Sequence, residues 1–140
     1  MILSPIEHTD LPFCRALRNM FRWSFLTTEI ITPQQHHEWF RNLQQHDNVD
    51  FLVIFQKSLR VGTVSLTTHN TGIEVGNVCV DPKYQGKGIA SCAIESLINP
   101  RVLPGVPYFA RIRPDNQPSQ HLFRKLGFQQ TDEMKWTLIG

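Results

Sequence analysis

Apolar positions along this chain recur sometimes every second residue and sometimes every third or fourth, and the switches between these rhythms mark its elements. Ile2 to Ile6 reads as a short strand, closed by the polar turn His8-Thr9-Asp10. Asp10 stands where a helix N-cap belongs, with Leu11 and Pro12 opening a helix predicted to reach Arg22. Its apolar line is Leu17, Met20 and Phe21. After a loop from Trp23 to Ile31, rich in aromatic and β-branched residues, Thr32-Pro33-Gln34-Gln35 forms a capping box with proline in the first turn. The helix it starts should face inward through His36, Trp39, Phe40 and Leu43. Phe51 to Phe55 and Val61 to Leu66 are strands joined by the polar turn Gln56 to Arg60.

The next strand changes phase within itself. Ile73 and Val75 fall on odd positions, whereas Val78 and Val80 fall on even ones, and the change occurs at Gly76-Asn77. One inserted residue does this, so a β-bulge is expected there. The alternative is a strand buried on both faces, which need not alternate. Asp81-Pro82 stops the strand, because proline has no N–H to donate to a ladder. From Gly88 the spacing becomes helical, with Ile89, Ala93 and Leu97 on one line and Ala90, Ile94 and Ile98 beside it, and Asn99-Pro100 should end the helix. Tyr108 to Arg113 is a further strand. Asn116 caps a helix carrying Leu122, Phe123 and Leu126, which Gly127-Phe128 closes, and Trp136 to Ile139 is a last strand. The order β-α-α-β-β-β-α-β-α-β describes a mixed α/β sheet.

A strand, a turn, glycines and then a helix present unpaired backbone N–H groups at a helix N-terminus. Such a site binds phosphate, and Gly86 and Gly88 let it approach the main chain, with Lys83 and Lys87 adding positive charge. The plain alternative is a tight βα turn without a ligand. The string is neither a P-loop, having no Gly-Lys followed by Ser or Thr, nor a dinucleotide fingerprint, having no third glycine in step.

Composition narrows the function classes. A length of 140 residues suggests one domain, 1–140, and 41% hydrophobic residues is usual for a globular protein. No apolar run approaches a membrane span, and the N-terminal residues show no secretory signal. A net charge of +2 is too weak to argue for nucleic acid. Cys14, Cys79 and Cys92 are an odd count without metal spacing, which fits reduced thiols in a cytoplasm. His37-Glu38 is not a zinc motif, since position 41 is arginine, and no metal is expected.

Gln85-Gly86-Lys87-Gly88-Ile89-Ala90, preceded by Val78-Cys79-Val80-Asp81-Pro82, resembles the signature of the GCN5-related N-acetyltransferases (GNAT). A second stretch, Asn116 to Phe128, is similar to that family's Asn-x-x-Ala-x-x-x-Tyr-x-Lys-x-Gly-Phe. The resemblance covers nearly the whole chain. It is nearest to the branches that acetylate ribosomal-protein N-termini and nucleotide-linked amino sugars. It implies the acyl-CoA N-acyltransferase fold, a mostly antiparallel sheet splayed at its central strand and flanked by about four helices. It also implies acetyl-coenzyme A as cosubstrate, held by Val78, Cys79, Val80, Gln85, Gly86, Lys87, Gly88, Ile89, Ala90, Asn116 and Phe123. Residues 1–68 then serve mainly the acceptor and 69–140 mainly the cofactor.

On this resemblance Glu74, eleven residues before Gln85, is the candidate base, with His69 and His121 as fallbacks. The alternative for Glu74 is an exposed strand carboxylate. Phe123 occupies the position where many members carry a tyrosine acid, leaving Tyr84 or Tyr108, or a thiolate that departs unassisted. Arg18, Trp23, Phe25 and His37 are candidate acceptor contacts, Arg18 being suited to a phosphate or carboxylate. The expected partner is a small-molecule amine, such as an amino sugar, with a homodimer allowed and neither nucleic acid nor membrane involved. The rivals are acetylation of a protein N-terminus and a non-catalytic acyl-coenzyme A sensor.

Overall fold

The computed structural model describes residues 1–98 and 106–138. Strand β1 (Ile2–Pro5) leads to α1 (Leu11–Met20) and α2 (Pro33–Gln44). Then follow β2 (Val49–Gln56), β3 (Leu59–His69), β4 (Gly72–Val80) and α3 (Ile89–Ile98). The chain closes with β5 (Tyr108–Arg111), α4 (Gln117–Lys125), β6 (Phe128–Gln130) and β7 (Lys135–Leu138). One seven-stranded sheet in the order β1-β2-β3-β4-β5-β7-β6 holds them all, with β4 and β5 parallel and the other neighbours antiparallel.

Local chemistry explains most boundaries. In the capping box, Gln35 N–H donates to Thr32 Oγ1 at 3.2 Å and Thr32 N–H to Gln35 Oε1 at 2.9 Å. Lys57 and Ser58 take φ of 49° and 68°, the two positive values a tight two-residue hairpin needs, so β2 and β3 run closer together than the predicted Gln56–Arg60 turn. Gly127 (φ 97°) closes α4 as expected, and Gly127 N–H donates to Arg124 O at 3.0 Å.

Four expectations change. Helix α1 stops at Met20, two residues early, because the Phe21 backbone leaves helical geometry (φ −102°, ψ 22°). Met20 is consequently exposed, and Leu11, Cys14 and Leu17 form the inward line. Asp10 makes no side-chain cap for α1. Its buried carboxylate accepts from Glu7 N–H at 2.8 Å and pairs with Arg60 Nε at 2.7 Å, tying the β1–α1 turn to β3. Strand β5 ends at Arg111, and β6 follows Gly127 directly, a three-residue edge strand too short to show alternation. The expected helix end at Asn99-Pro100 lies outside the described residues.

The sheet separates two apolar layers. Val75, Ile89, Ile94, Tyr108, Phe123 and Trp136 belong to the larger core, which buries α3 and α4. Cys14, Phe51 and Val53, with Trp39 and Leu43 packed against them, form the smaller core on the α1 and α2 side.

The middle of the sheet positions the site. Ser65 faces Gly76 and Thr63 faces Cys79, so two steps on β3 oppose three on β4. This is the expected bulge, with Asn77 in the left-handed region at φ 50°. Asparagine tolerates that region better than most residues. Here it is also locked, since Asn77 Nδ2 donates to Ser65 Oγ at 2.8 Å and Thr63 Oγ1 donates to Asn77 O at 2.7 Å. On its other side β4 pairs with β5 only at Ile73–Tyr108 and Glu74–Phe109, after which the two strands part.

Candidate active site

Three cavities adjoin the bulge. The first, about 410 Å³, lies at the glycine turn between the end of β4 and the start of α3. Gly86 and Gly88 adopt φ of 79° and 75°, and a Cβ on either meets nothing within 4 Å. Their need is conformational, and the mouth above them is open. Cys92 N–H donates to Gly88 O at 3.0 Å as the first bond of α3, so the N–H groups of Ile89, Ala90 and Ser91 precede any intrahelical acceptor. Gln85 Nε2 donates to Val80 O at 3.0 Å, pinning the turn to the strand end. These donors at a helix N-terminus fit a pyrophosphate. Lys87 is exposed beside them, its Nζ 5.7 Å from the centre of the Tyr84 ring.

The second cavity, about 370 Å³, fills the gap where β4 and β5 part. It is walled by Glu74 to Val78 on one strand and Ala110 to Ile112 on the other, and meets the first cavity at Val78, Asn116 and Ser119. Asn116 caps α4 through Oδ1, which accepts from Ser119 N–H at 3.2 Å. Phe123 closes the floor, buried and edge-on to Phe128 at 5.0 Å. Glu74 reaches this cavity with both oxygens engaged: Oε2 accepts from Arg111 Nε at 2.7 Å, and Oε1 from Arg111 Nη2 at 3.2 Å, with His69 Nε2 3.0 Å away.

The third cavity, about 260 Å³, lies under α1, α2 and the loop between them and shares Arg18, Phe25, Thr27 and Asn77 with the second. The Arg18 guanidinium stacks 4.2 Å from the centre of the Phe25 ring, and its Nη2 donates to Thr27 O. Burial pulls the Arg18 pKa down. His36, stacked on Trp39 at 4.8 Å, has its pKa lowered to about 4, chiefly by burial, and is neutral at pH 7. Burial pushes the Cys14 and Cys79 thiols up to about 12, so neither is a ready nucleophile.

The structure thus gathers Glu74, Val78, Cys79, Val80, Gln85, Gly86, Gly88, Ile89, Ala90, Asn116, Phe123, Arg18 and Phe25 around connected cavities. The other candidates stand elsewhere. Tyr84 lines the glycine-turn cavity and not the strand gap, and Tyr108 is buried in the larger core. His121 is on the exposed face of α4, lining none of the three. Trp23 is exposed with Arg22 over its ring at 4.2 Å, and His37 lies outside, 5.3 Å from His8. Arg111, Asn77, Thr63 and Ser65 were missed; only the phase change at Gly76-Asn77 pointed to any of them.

A family profile described as "Acetyltransferase (GNAT) domain" matches residues 1–129. The chain belongs to this family. It is accordingly an acetyl-coenzyme A-dependent N-acetyltransferase, with the mixed, mostly antiparallel sheet expected of one. No curated protein matches the acetyltransferase in sequence. Among solved structures it is similar to a ribosomal-protein-alanine N-acetyltransferase from Brucella melitensis (21% identity, 98% of this chain and 96% of that one, TM-score 0.74). It is also similar to spermidine N-acetyltransferase from Vibrio cholerae in complex with CoA and spermine (21%, 94% and 82%, TM-score 0.78). A third is FdhC, a nucleotide-linked sugar GNAT (20%, 96% and 84%, TM-score 0.78). Among the described residues no group of three or more His, Cys, Asp or Glu side chains is arranged to hold a metal, and no helix is long and apolar enough to cross a membrane.

Proposed function

We propose that this acetyltransferase acts on the primary amine of a small acceptor, of the size of an amino sugar or a related metabolite. The observation that carries this reading is the row of adjoining cavities, at the glycine turn, in the strand gap and, of modest size, under α1 and α2. Residues 69–140 supply most of the cofactor side and residues 1–68 most of the acceptor side. Acetyl-coenzyme A supplies a thioester carbonyl, whose C–S bond breaks as the C–N bond to the acceptor forms.

The chain's own residues have three tasks in that exchange. The backbone N–H groups at the start of α3 hold the pyrophosphate, with Lys87 adding charge. A main-chain N–H between Val78 and Val80 faces the developing charge on the carbonyl oxygen, a contribution of about 3 kcal/mol to the barrier. Glu74, oriented by Arg111, takes the proton released by the amine, directly or through a water. His69, hydrogen-bonded to Glu74 and two-fifths exposed, provides the outlet to solvent. With no tyrosine at the strand gap, the thiolate leaves without a phenolic donor. A thiol of pKa about 8.5 makes that step cost about 2 kcal/mol near neutrality.

The test is acceptor-dependent thiol release from acetyl-coenzyme A across a panel of amines. Glu74→Gln should lower kcat about 100-fold while calorimetric binding of acetyl-coenzyme A is retained. Tight binding with no acceptor-dependent release would favour a sensor instead. A second reading, acetylation of a protein N-terminus, draws on the likeness to the Brucella enzyme. Release with an N-terminal peptide and not with small amines would select it.

A further inference from the structure

Building on the acetyltransferase reading, we infer that the acceptor is an α-amino acid with an apolar side chain, its carboxylate on Arg18 and its side chain in the cavity under α1 and α2. Three observations converge on this class. First, Arg18 is a cation without a counter-ion among the described residues. Ion pairs among the described residues go to Arg60, His69, Arg111 and Arg113. Arg18 Nη1 is buried with no hydrogen-bond partner. On a half-buried charge an unmet buried donor is costly, and an anionic ligand relieves it. The planar guanidinium, its carbon 4.2 Å from the centre of the Phe25 ring, is shaped for a carboxylate.

Second, Arg18 and Asn77 both line the wall shared by the strand gap and the third cavity. An acceptor there needs its amine at the bulge, its anion at Arg18 and its remaining atoms beyond them. An α-amino acid has amine and carboxylate on one carbon, with the side chain as the third direction.

Third, the cavity's own chemistry is apolar. Trp39, Phe51, Ile31, Cys14 and Cys79 line it, and both thiols are protonated. His36, buried and neutral, offers an unpartnered Nδ1 that accommodates one hydrogen bond. Glu29 at the exposed loop is its one acid, against Arg18, a poor match for a polyamine. At about 30 Å³ per water, 260 Å³ holds on the order of nine waters. That room suits an amino-acid side chain.

The experiment is a thiol-release assay on the full chain with leucine, phenylalanine, leucinamide, glucosamine and spermidine, alongside Arg18→Met. Leucine should exceed leucinamide by about 10- to 100-fold in kcat/KM. The amide's amine is the less basic of the two, so protonation cannot produce that preference. Arg18→Met should bring the two within about threefold while keeping the wild-type affinity for acetyl-coenzyme A. The wild-type ratio needs no variant, so a misfolded Arg18→Met leaves the test intact. Leucinamide equal to leucine, or release with glucosamine or spermidine alone, overturns this inference and leaves the acetyltransferase reading standing. No release with any of the five overturns the small-acceptor reading and this inference with it.

Discussion

Cys79 lies against the bulge, where a nucleophilic thiol would suggest an acetyl-enzyme, yet its chemistry points the other way. Burial holds the thiol at about 12, outweighing the opposing pull of Arg18. Cys79→Ala is therefore expected to retain thiol release within about tenfold, since burial of the side chain and not its reactivity is lost. Intact-mass measurement of the wild-type protein mixed with acetyl-coenzyme A should show no added acetyl group; an acetylated Cys79 would refute direct transfer. His36 gives a second prediction. Its folded pKa of about 4 lies below the ordinary 6.5, so the unfolded chain binds the proton more readily between those values. The contribution is intact above about 6.5 and is lost as pH falls toward 4, to an extent of about 3 kcal/mol. Melting curves of wild type and His36→Gln should converge over that window, because the variant has no such group to protonate.

At the level of elements, the glycine turn and the bulge were visible in the sequence for different reasons. The turn announced itself by spacing, and its two positive φ values are what Gly86 and Gly88 permit. Gly88→Val should raise the acetyl-coenzyme A Kd about tenfold by calorimetry, through backbone strain and not through a clash, since the space above is open. The bulge showed as a change of parity between Val75 and Val78, a signal available only because both flanking runs alternate. Helix phase would have corrected His121: α4 faces the cavities through Ser119, Leu122 and Phe123, and a residue two steps from Ser119 points away. Trp23 lies in a loop with no period to read, and Arg111 carries no motif at all. Its bond to Glu74 depends on β4 and β5 being parallel neighbours, a pairing of residues far apart in the chain. Asp10 stands in the sequence where a local cap belongs, whereas its partner Arg60 arrives from β3. Asp10→Ala should destabilise the fold by about 2 kcal/mol in a denaturant titration, leaving Glu7 N–H and Arg60 without their acceptor.

Across the whole molecule, helices on the two faces of the sheet flank different cavities. Helices α3 and α4 pack on the larger core beside the glycine turn, and α1 and α2 close the third cavity. The parallel seam of β4 and β5 joins them with only two register pairs, the remainder being side-chain packing. A seam so lightly stitched would take coenzyme A as a brace as well as a carrier. Amides of β4 and β5 beyond Glu74 should exchange with deuterated solvent early in the free protein and slow together once coenzyme A is added. The enzyme would then gain rigidity at its weakest join only when loaded, leaving the empty form as the one exposed to proteases.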